Sequence, residues 1–338
     1  MFEIVLLFLG LSILMYCLFG GADFGAGILE AFSKKAYKTK GEKITYHAIG
    51  PVWEANHMWL ILVVVIMFMG FPKIYSSISI ALHIPLTLML LGIVLRGCSF
   101  TFRHYDAFKD DSHKYYSWVF IFSSIFTSVF IGIIAGALIF GEIDLQGTSF
   151  YEVYVRPWFN FFCISVGIFT SCIFAFLAAV YLIGETKEER VRKHLIIQAR
   201  NVNIATVIAG GLVFYTGHSN DFDLLRLIIR NPLSAAALVL ATLCLPFLWL
   251  SLKKSIVIPR ILAAFQVSMI LFAWTYIQFP VVMNMKTGLD LDLYNSKASE
   301  ATMNSLAYAL IIGSFLILPA LFYLIKSFKW EGEVEAGS

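Results

Sequence analysis

Long apolar runs alternate with short polar connections along the whole chain. Nine runs stand out, at about residues 2–22, 52–71, 76–100, 117–140, 158–183, 202–216, 233–252, 258–282 and 305–326. A helix needs about 20 predominantly apolar residues to cross a bilayer, so each run predicts a transmembrane helix, with 202–216 the weakest. Proline supports the boundaries. Pro51, Pro157, Pro232 and Pro259 fall at span starts, where a missing N–H costs nothing, and Pro72 ends the second span. Pro85, Pro246, Pro280 and Pro319 lie within or near the ends of spans, where neighbours can satisfy the freed carbonyls. The longest polar stretches, about 33–50, 184–201 and 283–304, read as connections, and no fixed-period repeat is visible. The pattern predicts an all-α, polytopic membrane protein, a single transmembrane helical domain over 1–338 built as helical bundles.

Orientation follows from where the basic residues fall. The odd-numbered connections and the C-terminal tail hold Lys34, Lys35, Lys38, Lys40, Lys43, Arg103, Lys109, Lys114, Lys187, Arg190, Arg192, Lys193, Arg200, Lys253, Lys254, Arg260, Lys326 and Lys329. The other side holds Lys73, Arg156, Arg226, Arg230, Lys286 and Lys297, leaving Arg96 inside a span. This alternation fits nine transmembrane helices with the N-terminus outside and the C-terminus cytoplasmic. Eight spans would break it.

Composition narrows the class. Of 338 residues, 59% are hydrophobic and 14% charged, and the mean hydropathy is +0.80. Soluble domains run at about 45–50% apolar and about 25% charged, which excludes a soluble enzyme with one anchoring helix, a disordered chain and a secreted disulfide scaffold. A net charge of +3 gives no reason to expect nucleic acid as a partner. The five cysteines, Cys17, Cys98, Cys163, Cys172 and Cys244, sit in apolar runs without metal-site spacing and read as small buried residues. The N-terminal MFEIVLLFLG lacks a basic n-region and reads as a first span that stays in place.

Ionised groups in hydrocarbon are costly and therefore functional candidates. Asp23, Glu30, Glu54 and Arg96 are the exceptions to a pattern that keeps charge in loops. Asp23 lies some 20 residues, roughly 30 Å, from the outer end of the first span; Glu54 opens the second span and Arg96 lies near the inner end of the third. With Asn56 and His57, three segments deliver polar groups to one inner layer, as a polar pocket or a proton entrance open to the cytoplasm would require. The plainer alternative is a set of interfacial carboxylates wetted by headgroup water, with Arg96 snorkelling or pairing with one of them. The glycines Gly20, Gly21, Gly25 and Gly27 permit close helix packing.

Histidine is the residue to inspect for haem ligation. Only His57 and His83 lie near membrane depth, and their spans put them at opposite faces, so they predict no shared haem site and no metal in this chain. Trp53, Trp118, Trp158 and Trp249 fall near span ends, as an interfacial belt would place them.

The segments GPVWEANHMWLILVVVIMFMGFP (residues 50–72), IVLRGCSFTFRHY (93–105), GGADFGAG (20–27) and FPVVM (279–283) resemble subunit II of the cytochrome bd-type quinol oxidases. By that resemblance Asp23 and Glu54 match the acidic positions of the family's first-span and GPxWD elements, and Asn56, Trp59, Arg96 and Arg103 also match. Two departures stand out: Gly20 occupies an acidic position of the family, and Glu54 replaces Asp, moving the carboxyl by one methylene. The Ala55, Asn56, His57 sequence resembles the divergent branch that includes the cyanide-insensitive oxidases.

The resemblance implies an aerobic respiratory-chain enzyme that oxidises quinol and reduces O2 to water in a bacterial cytoplasmic (inner) membrane. It implies a haem-free subunit that supports subunit I as a heterodimer, with haems b and b or d in the partner, and that contributes a proton pathway through Asp23 and Glu54. Asn56, His57, Trp59, Arg96 and Arg103 would form the supporting polar cluster, Arg96 keeping the acids exchangeable. No catalytic residue is expected in this chain, and connection six, 217–232, is too short for a quinol-binding loop. A small accessory subunit and a structural quinone stay open, and lipid surrounds the whole. The alternative from another class is a proton-coupled secondary transporter, with the buried acids as its coupling site.

Overall fold

The computed structural model describes residues 1–33, 44–46, 50, 53–105, 112–186 and 188–335. Helix α1 (Phe2–Met15) passes through a π-helical turn (Tyr16–Gly20) into α2 (Gly21–Ala31). Then follow α3 (Trp53–Gly70), α4 (Pro72–Ala81), α5 (His83–Tyr105), α6 (Ser112–Phe140), the short α7 (Phe150–Tyr154) and α8 (Phe161–Leu182). The C-terminal half holds α9 (Glu189–Ser219), α10 (Leu224–Arg230), α11 (Pro232–Ser251), α12 (Val257–Gln278), strands β1 (Val281–Met283) and β2 (Leu291–Asp292), and α13 (Glu300–Glu335). Among the described residues eight helices are long and apolar enough to cross a membrane, and α3 with α4 makes a ninth if that bent pair is one span. The chain is an all-α polytopic membrane protein apart from one hairpin. Its two ends differ: α2, α5, α8, α11 and α13 finish at the end rich in Lys and Arg, here the basic end, and β1 and β2 mark the opposite, hairpin end.

Three boundaries differ from those expected. The first span runs on past 22 to Ala31, which takes both Asp23 and Glu30 into it. The third run, expected at 76–100, falls in two helices: the first starts already at Pro72, after Phe71 leaves helical geometry (φ −135°, ψ 59°), with a preset φ and no donor to lose. Leu82 interrupts it again (φ −112°, ψ 23°). The chain turns by 116° at Phe71, and Phe71, Ile74, Ala81 and Leu82 are fully buried there. The spanning helix therefore begins at His83 and includes Arg103, which the apolar pattern places in a connection. The weak run at 202–216 is the apolar part of the 31-residue α9, which carries Arg190, Arg192, Lys193 and Arg200 on its first turns. Lys34, Lys35, Lys38, Lys40, Lys43, Lys109 and Lys187 lie outside the described residues.

The core forms where α2 crosses α8. Every residue of α2 except Ala31 is buried, which demands close neighbours on all sides. Gly25 makes this possible: a Cβ there would lie 1.9 Å from the Phe174 carbonyl oxygen, and one at Gly21 would meet the Phe174 ring at 2.5 Å. Hydroxyl pairs join the neighbouring helices, Ser128 to Ser171 at 2.8 Å between α6 and α8, and Ser165 to Thr216 at 2.7 Å between α8 and α9. In hydrocarbon such bonds replace the missing water. A separate apolar cluster joins α1, α3, α4 and α13 through Val5, Leu9, Ile66, Phe71, Ile74, Met303, Leu306 and Leu310. The cysteines divide: Cys163 and Cys244 are buried, Cys17 and Cys172 half-buried, and Cys98 is exposed. Trp118 is exposed as a belt residue would be, whereas Trp158 donates to the Tyr154 carbonyl four residues back and Trp249 donates across helices to Asn203 Oδ1.

The hairpin end is a polar cap tied by backbone. Asn284 bonds the carbonyls of Leu138 and Ile139, Lys286 N–H donates to Ile143 O, and Ala298 N–H donates to Gly70 O at the bend. Thr287 donates to Asp144 Oδ1 at 2.6 Å, and this bond, with the Gln146 N–H, holds the Asp144 carboxyl below its ordinary pKa. Asp292 is held low in the same way by Asn295. Groups with depressed folded pKa values add stability above the ordinary Asp range and lose it as pH falls through the lowered value, so the cap tightens above about pH 4.

Gly25→Ala should destabilise the protein by about 1–3 kcal/mol through overpacking, seen as a lower Tm in detergent. Gly10→Ala, where nothing lies within 4 Å of the added methyl, should change stability by less than about 1 kcal/mol.

Candidate functional site

Two ion pairs, one helix turn-pair apart, join α2 to α5. Arg96 Nη1 donates to Asp23 Oδ2 at 3.0 Å and Nη2 to Oδ1 at 2.6 Å, with a further bond from Nη2 to the Asp23 carbonyl at 2.9 Å. Both side chains are 1% exposed. Seven residues on along each helix, Arg103 Nη1 donates to Glu30 Oε2 at 2.7 Å and Nη2 to Oε1 at 3.4 Å. Seven residues is nearly two turns, roughly 10 Å of rise, so both acids share one face of α2 and both arginines one face of α5. Matching order along the two chains means the helices run parallel toward the basic end.

The surroundings suit the arginines. The Phe120 ring of α6 lies between them, with centroid distances of 5.1 Å to Arg96 and 4.3 Å to Arg103, and Phe24 covers Arg96 at 5.0 Å. Ring faces attract a guanidinium, and the planar fork satisfies a carboxylate bidentately. Removing two charges from water is expensive unless geometry is good and the remaining protons are bonded; here only Arg96 Nε is buried without a partner among the described residues.

The two rungs differ in access. Asp23 lines a cavity of about 400 Å³, together with Asn56, Tyr181, Glu185, Arg260 and Ala264. Glu30 faces a recess of about 20 Å³ beside Ser33 and Gln198, too small for more than a single water. The Asp23 rung adjoins a solvent-sized space, and the Glu30 rung has room for about one water among the described residues.

Of the residues expected to converge, Asp23, Asn56, His57 and Arg96 do so, His57 lying close enough to Asp23 and Arg96 to feel both charges. His57 lies edge-on to Phe24 at 6.2 Å and to Trp53 at 6.3 Å, with its Nδ1 buried and without a hydrogen-bond partner among the described residues. Trp59 packs on the apolar cluster around α2 and α8. Glu54 sits in the first turn of α3, and its side chain lies outside the described residues. Arg103 is not a connection residue but the partner of Glu30. That second rung was detectable in principle: an acid pair and an arginine pair, each seven apart, is a register match. The contribution of Glu185 and Arg260, 75 positions apart, leaves no such sequence signal. His83 faces Tyr154 at 4.9 Å at the hairpin end, a helix length from His57, so the two cannot ligate one metal. Among the described residues no group of three or more His, Cys, Asp or Glu could hold a metal ion.

Arg103→Gln should strand a buried carboxylate and cost about 3–5 kcal/mol, read as a Tm drop. The double variant Glu30→Gln, Arg103→Gln should recover a large part of that loss. Equal losses in the single and double variants would show the pair to be uncoupled.

Over residues 1–328 the chain matches the family described as cytochrome bd terminal oxidase subunit II. It is 22% identical to cytochrome bd-I ubiquinol oxidase subunit 2 of Escherichia coli K12, over 90% of this chain and 88% of that protein. It is 27% identical to cytochrome bd ubiquinol oxidase subunit 2 of Bacillus subtilis over 151 residues, 44% of this chain and 43% of that one. The fold matches a chain of the bd oxidase of Geobacillus thermodenitrificans with a TM-score of 0.72 at 19% identity, covering 96% of this chain and 98% of that chain. With nearly its whole length matched, this chain belongs to the cytochrome bd terminal oxidase subunit II family.

Proposed function

We propose that this chain is the haem-free subunit II of a bd-type quinol:oxygen oxidoreductase of the bacterial cytoplasmic membrane. In that role it supports subunit I and carries part of a proton route from the cytoplasm to the oxygen-reducing site. Family membership favours this over a proton-coupled secondary transporter. The positive-inside rule makes the basic end cytoplasmic. Under this reading the haems and the quinol-oxidising site belong to subunit I, and the separation of His57 from His83 supports a chain without its own bis-histidine haem.

One observation carries the proton route: Asp23, almost wholly buried, lines a cavity at the basic end. Reducing oxygen to water consumes protons, and a route needs carboxylates that solvent can reach at membrane depth. Arg96 positions Asp23 by its fork and by the bond to the Asp23 carbonyl, so the carboxylate keeps its place while its outer lone pairs accept from water. Glu54, one helical turn or less from Asn56 on α3, is the second acid of the route, at the cytoplasmic entry.

Glu54→Gln and Asp23→Asn in the assembled oxidase should each slow oxygen consumption by about tenfold or more, about 1.4 kcal/mol of barrier, with haem absorbance intact. Unchanged turnover would remove that acid from the route. Loss of the assembled complex would assign it a structural role instead.

A further inference from the structure

The cavity beside Asp23 lies between the π-helical turn and first turn of α2, the first turn of α3, the last turn of α8 and the first turns of α12. Its two ends are polar and its walls are not. Asp23 and Asn56 are its buried polar lining, Glu185 and Arg260 its partly exposed one, and Ala178 and Ala264 are among the small wall residues. Its volume of about 400 Å³ would hold about a dozen waters at roughly 30 Å³ each.

Arg260 belongs to the partly exposed part of the lining. Its Nη2 donates to Glu185 Oε1 at 2.8 Å and to the Tyr181 carbonyl, at the C-terminal end of α8, where the helix dipole favours a cation. Position 184 must be small for this. A Cβ on Gly184 would come within 2.5 Å of Arg260 Nη2 and 2.4 Å of Ile256 Cγ2. Arg260 Nε is buried with no partner among the described residues, a donor that water in the cavity could satisfy. The pair is 29% and 39% exposed, and a wet ion pair of this kind is worth about 1 kcal/mol or less. It can open thermally.

We propose that this cavity is a hydrated inlet from the cytoplasm to Asp23 and that the Arg260–Glu185 pair is its gate. What the inlet carries rests on the proton-route reading above; that it holds water does not. A proton passes along the water from bulk to the Asp23 carboxylate while the pair swings aside and re-forms, with no bond to carbon made or broken. A lipid chain is the rival occupant, since Phe19 and Ile261 at the side are exposed. It would leave the carboxylate and the Asn56 amide facing hydrocarbon, a costly desolvation.

The test labels Ala264→Cys in the assembled oxidase, in inverted membrane vesicles, with a charged methanethiosulfonate. Mass spectrometry then resolves that site from the five native cysteines. Modification should be about tenfold or more faster than at Val239→Cys, an exposed apolar position on α11, and about threefold faster again with Arg260→Gln. If both positions resist the charged reagent and accept only an uncharged maleimide, the cavity holds lipid and the inlet falls. If Arg260→Gln leaves the rate unchanged, the gate falls. Ala264→Trp should slow oxygen consumption several-fold with haem absorbance and quinol KM unchanged. A hydrated position 264 with full turnover in the Trp variant would overturn proton delivery by this inlet. Charged-reagent labelling at 264 together with full turnover in Asp23→Asn would instead locate the failure in the proton-route reading.

Discussion

A charge inside hydrocarbon is tolerable where an opposite charge meets it with its hydrogen bonds filled, and this requirement sets the register of the structure. Asp23 with Arg96 and Glu30 with Arg103 fix α2 against α5 at two points, seven residues apart on each helix. Sliding either helix by one residue would turn both carboxylates away from both guanidinium groups at once. Apolar helices in lipid can slide at little cost because one Leu contact resembles another. Two ion pairs remove that freedom.

Fixing α2 beside α5 has consequences for its other faces. The helix must also meet α6 and α8, since all but one of its residues are buried. Phe120 fills the gap between the two arginines on the α6 side. On the α8 side, Gly21 and Gly25 let backbone meet backbone. The GGADFGAG segment thus combines two demands in eight residues: small side chains for the α8 contact and an acid for the α5 contact. Packing and chemistry are not alternatives there, because the tight crossing places Asp23 where an arginine and a cavity can both reach it.

The rungs look alike in sequence and differ in surroundings. Asp23 adjoins a cavity of about 400 Å³ and Glu30 a recess of about 20 Å³. A carboxylate that water reaches can take part in proton exchange, and one sealed from water holds the helices together. The two acids of α2, two turns apart, thus differ in the space beside them: solvent-sized at Asp23 and about one water at Glu30. Reading along the chain, Glu30 and Arg103 fell on the wrong side of a boundary because an apolar scan stops at the first charge, whereas a helix continues through a charge that its neighbour neutralises. The bend at Phe71 and Pro72 had the same effect on the third run, since proline was visible but the turn angle was not.

The sequence by itself determined the all-α membrane class, the approximate positions of the spans, the family resemblance and the presence of unusual charges at depth. These follow from composition and local order: about 20 apolar residues span hydrocarbon wherever they sit in a fold, and a motif is a property of neighbouring residues. Only the tertiary structure decided which acid pairs with which arginine, which acid adjoins a cavity, and that Arg260 and Glu185, far from both in the chain, line that cavity as an ion pair. The physical reason is that pairing energy and solvent access depend on distances between helices. Those distances are set by how side chains such as Gly25, Phe120 and Gly184 let the helices approach, and no linear pattern records them.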